Sequence, residues 1–96
     1  MEPKRLTLTD ERFNLISRAL ADPRRHEILR RIGEAGPSLP CHQMRGCVRI
    51  SAATLSHHMR ELETAGLVAS VREGKFVSYS LRRDVLQAYI ARLAKI

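Results

Sequence analysis

Ser56, His57 and Arg60 bring a hydroxyl, an imidazole and a guanidinium to one short stretch of this chain. At about 100° per residue, they share a helix face with Ala53, opposite Leu55, Met59 and Leu62. Short polar side chains along one face, with no bulky neighbour in the way, suit the base edges of a DNA major groove. Ser51 has the hydroxyl of a good N-cap, and Gly66 can take the left-handed conformation that ends a helix. The base-proximal set is Ser51, Ala53, Thr54, Ser56, His57 and Arg60. Ordinary solvent exposure is the alternative for Ser56 and His57. Arg60 lies a turn further along and suits a phosphate as well as a base. His58 falls about 60° from the centre of the apolar stripe and reads as a semi-buried structural histidine.

Cys41, His42 and Cys47 are the second chemical cluster. Thiolate and imidazole suit zinc or a thiophilic metal. On one regular helix, however, the two thiols point about 120° apart, so they cannot chelate one ion alone. A disulfide needs their Cα atoms within about 7 Å, and hence a distorted helix end. The alternatives are a small buried apolar residue at Cys47 and a surface polar residue at His42. Catalysis fits poorly. There is no Gly-rich phosphate loop, nucleophile motif or Cys-x-x-Cys pair, and His26, His42, His57 and His58 lack suitably spaced carboxylates. Neither an enzyme nor a bound cofactor is expected.

The elements that must position these groups follow from pattern and punctuation. Leu39 to Gly46 is a short helix candidate, with Ser38 as its cap and Pro40 in its first turn. Val48-Arg-Ile50 connects it tightly to Ser51, which makes a helix-turn-helix. Leu67–Val71 and Phe76–Leu81 are β-rich runs around Arg72, Glu73, Gly74 and Lys75, so they read as a hairpin with a basic tip. Arg72 and Lys75 on this wing, and Arg45 and Arg49 flanking the turn, are candidate phosphate contacts. Arg24 and Arg25 could also reach the DNA backbone or simply solubilise their helix.

Upstream, a first helix starts near Thr9 with Asp10 and Glu11 at its positive end, and Phe13, Ile16 and Leu20 are its apolar residues. Asp22 caps a second helix with Pro23 at its first position, and Ile28, Leu29 and Ile32 form its stripe. The last helix spans residues 83–95, with Leu86, Tyr89, Ile90 and Leu93 as its apolar face. The order is α-α-α-α-β-β-α, mainly helical with a small β-hairpin. The terminal helices, 9–20 and 83–95, either cap the protomer core or pair with their symmetry mates.

With 96 residues the chain makes one domain, 1–96, with residues 1–8 as an arm before the first helix. Seventeen Lys and Arg against ten Asp and Glu give +7, which favours a polyanionic partner. No stretch approaches the roughly 20 apolar residues of a membrane span, and no signal-peptide core follows Met1. A cytoplasmic protein with free thiols is expected.

Three segments carry a resemblance: Ala19-Leu-Ala-Asp-Pro-Arg-Arg-His-Glu-Ile-Leu29, Ser51 to Val68, and Arg72-Glu-Gly-Lys-Phe-Val-Ser-Tyr-Ser-Leu81. Their Asp-Pro-x-Arg opening, Ser-His-His recognition helix, Ala-Gly-Leu-Val exit and Arg-x-Gly-Lys wing resemble the ArsR/SmtB-type winged helix-turn-helix repressors. Met59 replaces the usual leucine, and the likeness extends over residues 9 to 95. The resemblance implies a homodimer joined through Phe13, Ile16, Leu20, Leu86, Tyr89, Ile90 and Leu93. It also implies repression at an imperfect palindrome, with recognition helices about 34 Å apart. The metal sites common in such proteins are missing. The region from Leu39 to Cys47 has no Cys-x-Cys, and the last helix holds Asp84 but no histidine. Cys41, His42 and Cys47 remain a candidate sensor, metal or redox; the alternatives are an unknown ligand, a partner protein or no effector. The alternative function is a winged-helix module that binds nucleic acid nonspecifically or docks an acidic protein.

Overall fold

Side-chain caps set the starts of three helices. Thr9 accepts from the Arg12 N–H at 3.1 Å and opens α1 (Asp10–Leu20). Asp22 accepts from the Arg24 N–H at 2.7 Å and opens α2 (Pro23–Glu34). Ser51 accepts from the Thr54 N–H at 3.1 Å and opens α4 (Ala52–Thr64). Between them stand β1 (Leu39–Pro40) and α3 (Cys41–Cys47), and after them β2 (Val68–Glu73), β3 (Phe76–Leu81) and α5 (Arg83–Leu93). This computed structural model describes residues 7–96, apart from the side chain of Cys47. Most of the expected N-terminal arm, residues 1–6, therefore lies outside the described residues.

The fold is the expected mainly helical one, with one addition. Leu39 and Pro40 form a strand, not the first turn of a helix, and Ser38 caps nothing. Pro40 is the N-cap residue of α3 at φ −62° and ψ 142°, with no side-chain cap bond. Two effects explain the shift. Proline disfavours helical backbone at the residue before it, here Leu39, and Leu39 gains a partner in Tyr79 while Pro40 faces Ser78. The sheet is antiparallel in the order β1-β3-β2.

The hairpin is also longer than its β-rich runs suggest. Val68 pairs with Leu81, and the ladder continues to Arg72 with Val77 and Glu73 with Phe76. Only Gly74 and Lys75 make the turn, and Gly74 supplies φ +60°, which a tight two-residue hairpin loop needs. α5 ends at Leu93, earlier than expected. The core is built from Ile16, Ile28, Ile32, Met44, Leu62 and Leu67, all fully buried. α4 lies against α1, α2 and β2, so its inner stripe is fixed from three sides. Among the described residues no helix is long and apolar enough to cross a membrane.

Candidate nucleic-acid interface

α4 divides as its periodicity requires. Leu55, Met59 and Leu62 are buried, whereas Ala53, Ser56, His57 and Arg60 are exposed on the outer side. Thr54 is half-buried. Ser51 is exposed, but its hydroxyl works within the cap: it accepts from the Thr54 N–H and donates to Thr54 Oγ1 at 2.9 Å. The free part of the face is therefore Ala53, Ser56, His57 and Arg60, and Ser51 chiefly shapes the helix start.

The end and the middle of α4 are each met by an arginine that sequence pattern did not single out for this role. Arg12 of α1 donates to the Thr64 carbonyl at 2.8 Å, which satisfies one orphan acceptor at the helix end. Gly66 follows at φ +83°, and a Cβ there would stand 3.0 Å from the Arg12 guanidinium. The glycine thus serves both the left-handed turn and the close approach of Arg12. Arg25 is not a free surface cation. Its Nε donates to the Ala19 carbonyl at 2.7 Å and its Nη2 to the Arg18 carbonyl at 3.3 Å, while Nη1 lies 3.4 Å from His58 Nδ1. His58 is more deeply placed than its position beside the stripe suggests, at 5% exposure. Burial, the largest influence, holds its imidazole below the ordinary 6.5; Asp22 opposes that effect, and Arg25, His57 and Arg24 add to it.

The remaining candidate contacts are exposed. Arg72 belongs to β2, and Lys75 is in the turn of the wing. Arg45 in the last turn of α3 and Arg49 just beyond it are also open to solvent.

The terminal helices make one platform. Phe13 and Tyr89 stack with ring centroids 5.0 Å apart, and the Arg92 guanidinium sits 4.3 Å above the Phe13 ring. The Ser17 hydroxyl and Tyr89 hydroxyl are 2.9 Å apart, and Arg92 pairs with Asp10. One residue of the expected partner face is misassigned. Ile16 is completely buried within its own protomer, because the inner side of α1 packs on α2 and α4. Phe13, Leu20, Leu86 and Tyr89 are half-buried, whereas Ile90 is 54% and Leu93 40% exposed.

Of the sensor candidates, Cys41 is half-buried beside Tyr79 and His42 is exposed. Burial first, then the neighbouring thiol, raises the Tyr79 phenol above its ordinary 10.0. The Cys47 side chain lies outside the described part. Among the described residues no three of His, Cys, Asp and Glu cluster as a metal site would require.

Residues 20–71 match the family model described as a helix-turn-helix domain. In Bacillus subtilis (strain 168), the uncharacterized HTH-type transcriptional regulator YceK is 33% identical over 75 residues, covering 78% of this chain and 75% of its own. The transcriptional repressor SdpR of the same organism is 32% identical over 75 residues, covering 78% and 81%. Solved structures share the fold. An ArsR family transcriptional regulator aligns with TM-score 0.81 at 23% identity, covering 94% of this chain and 91% of its own. A homodimeric winged helix-turn-helix DNA-binding domain from Mycobacterium bovis, a possible ArsR-family regulator, aligns with TM-score 0.72 at 21% identity, covering 93% and 87%. The chain belongs to the helix-turn-helix family of transcriptional regulators, and its fold is the winged one of the ArsR type.

Proposed function

We infer that this protein is a sequence-specific, duplex-DNA-binding repressor, working as a homodimer on an imperfect palindrome. The observation that carries this reading is the outer face of α4, where exposed Ala53, Ser56, His57 and Arg60 back onto a fully packed stripe. Small side chains allow close approach to the groove floor, and the polar groups supply donors and acceptors for base edges. Arg45, Arg49, Arg72 and Lys75 surround that face with positive charge and would set the register on phosphates. The name of SdpR supports repression, and the homodimeric M. bovis domain supports a dimer. Residues 1–96 would act as one DNA-binding unit, with α1 and α5 carrying the partner face.

The test is binding to the DNA upstream of the protein's own gene, with scrambled duplex as competitor. Specific binding should exceed nonspecific binding by about 10³ or more. Equal binding to both duplexes would instead favour a nonspecific nucleic-acid module.

Roles should separate between helix and wing. Ser56→Ala or His57→Ala should cost about 1–3 kcal/mol at particular base positions. Arg72→Ala or Lys75→Ala should weaken all duplexes alike and flatten the salt dependence, each by a slope of about one. Wing variants that change base preference while helix variants do nothing would reverse the assignment.

Metal should have little effect. A tight site needs about four well-placed, deprotonated ligands, and among the described residues no group of three or more His, Cys, Asp or Glu forms around Cys41 and His42. Stoichiometric zinc, cadmium or arsenite should leave operator affinity within about threefold, under ~0.7 kcal/mol. A ten-fold metal-dependent loss that vanishes in Cys41→Ser would establish a sensor at α3.

A further inference from the structure

The Asp22-Pro23-Arg24-Arg25 sequence starts α2, but its last residue also joins two other helices. One guanidinium holds the Arg18 and Ala19 carbonyls at the end of α1 and reaches His58 in the middle of α4. Arg12 holds the far end of α4 from the start of α1. α1 also carries α5 through Phe13, Ser17 and Tyr89. The angle of the recognition helix to the α1–α5 platform is therefore set at two arginine joints, and only the Arg25 joint contains an imidazole.

His58 can serve that joint in one protonation state. Nδ1 accepts from Arg25 only when the ring is neutral with its proton on Nε2. Nε2 is itself buried and lacks a hydrogen-bond partner. A second proton would turn Nδ1 into a donor aimed at a donor and place two cations 3.4 Å apart. Asp22, Arg24 and Arg25 face the ring from the start of α2, and His57 from its own helix. On the α1 side, the groups at the joint are the Arg18 and Ala19 carbonyls, both accepting from Arg25. Asp22 alone favours the proton, and its carboxylate already accepts from the Arg24 N–H.

We propose that Arg25 is a positioning residue for DNA recognition: it holds α4 to the end of α1 through neutral His58, and proton uptake by His58 releases that hold and weakens operator binding. This rests on the DNA-binding function inferred above. The sign of the stability contribution follows from linkage, and operator binding follows it because the protonated ring loses its contact with Arg25. The folded ring takes its proton less readily than the unfolded one, so its contribution is present above the ordinary 6.5 and is lost as pH falls through that value toward the folded one.

The experiment is fluorescence anisotropy of the intact protein on its upstream duplex at several pH values, with thermal melting of each variant. Operator affinity should fall about ten-fold from about pH 7.5 to about pH 5.5. His58→Asn keeps an acceptor near the Nδ1 position but cannot titrate, so its affinity should be near wild type at the upper end and should not fall below it. His58→Gln serves if the asparagine variant melts too low. Arg25→Lys keeps the charge but loses the fork, and should bind weakly at both ends of the range. His57→Ala should retain the fall. Wild-type affinity that is flat or rises on acidification, or an undiminished fall in both folded His58 variants, overturns the proposal alone. No specific binding at any pH overturns the proposed function and this positioning role together.

Discussion

Replacing Ile90 with aspartate should yield a folded monomer that no longer holds operator DNA. In the single protomer Ile90 is 54% exposed, so the substitution removes little internal packing and the circular dichroism spectrum should be unchanged. In a dimer mated through α5, the same carboxylate would sit unpaired against Leu86, Tyr89 and Leu93, which is strongly unfavourable. A monomer meets one half-site at a time and loses the gain from linked binding, about 100-fold or more. Sedimentation and gel-shift measure the two consequences separately. A folded dimer with normal operator affinity would remove α5 from the interface.

Truncating Leu62 to alanine should damage the fold itself. This residue is completely buried on the inner side of α4. Leucine-to-alanine changes at such sites cost about 2–5 kcal/mol, against a total stability of about 5–15 kcal/mol for an ordinary domain. Urea denaturation should show that loss, and DNA binding should fail as the unfolded fraction rises. Arg60→Ala, two residues earlier on the outer face, should leave the denaturation midpoint unchanged while weakening DNA binding. A Leu62→Ala protein with unaltered stability would mean that Leu62 does not pack in the core beneath α4.

What was legible in the sequence was local. Ser51, the Leu55-Met59-Leu62 stripe and Gly66 define α4 within one stretch of chain, and the observed helix follows them. Thr9 and Asp22 are caps for the same reason. The misreadings involve partners distant in the chain. β1 exists because Leu39 meets Tyr79, and one leucine followed by a proline carries no strand pattern of its own. Ile16 belongs to an apolar stripe, but a stripe does not say which of its residues faces the protomer core. The Asp-Pro-x-Arg motif was visible, yet the bonds of Arg25 to two carbonyls and a histidine depend on how three helices meet. The outward face of α4 was readable because exposure of one side follows from burial of the other.

Pro40 gives the sheet an asymmetric boundary. β1 and β2 form its two borders, with β3 between them. On the β1 side the strand is two residues long and one of them has no N–H, so a stray strand would find almost nothing to extend. The β2 border is six residues long, with Arg72 and Glu73 at its turn end. Charges at a border discourage stacking of copies, but the ladder there is otherwise intact. Fibre-like association of this protein, if forced by heat or acid, should therefore begin along β2, and Ser70→Pro should suppress it more than any change in β1.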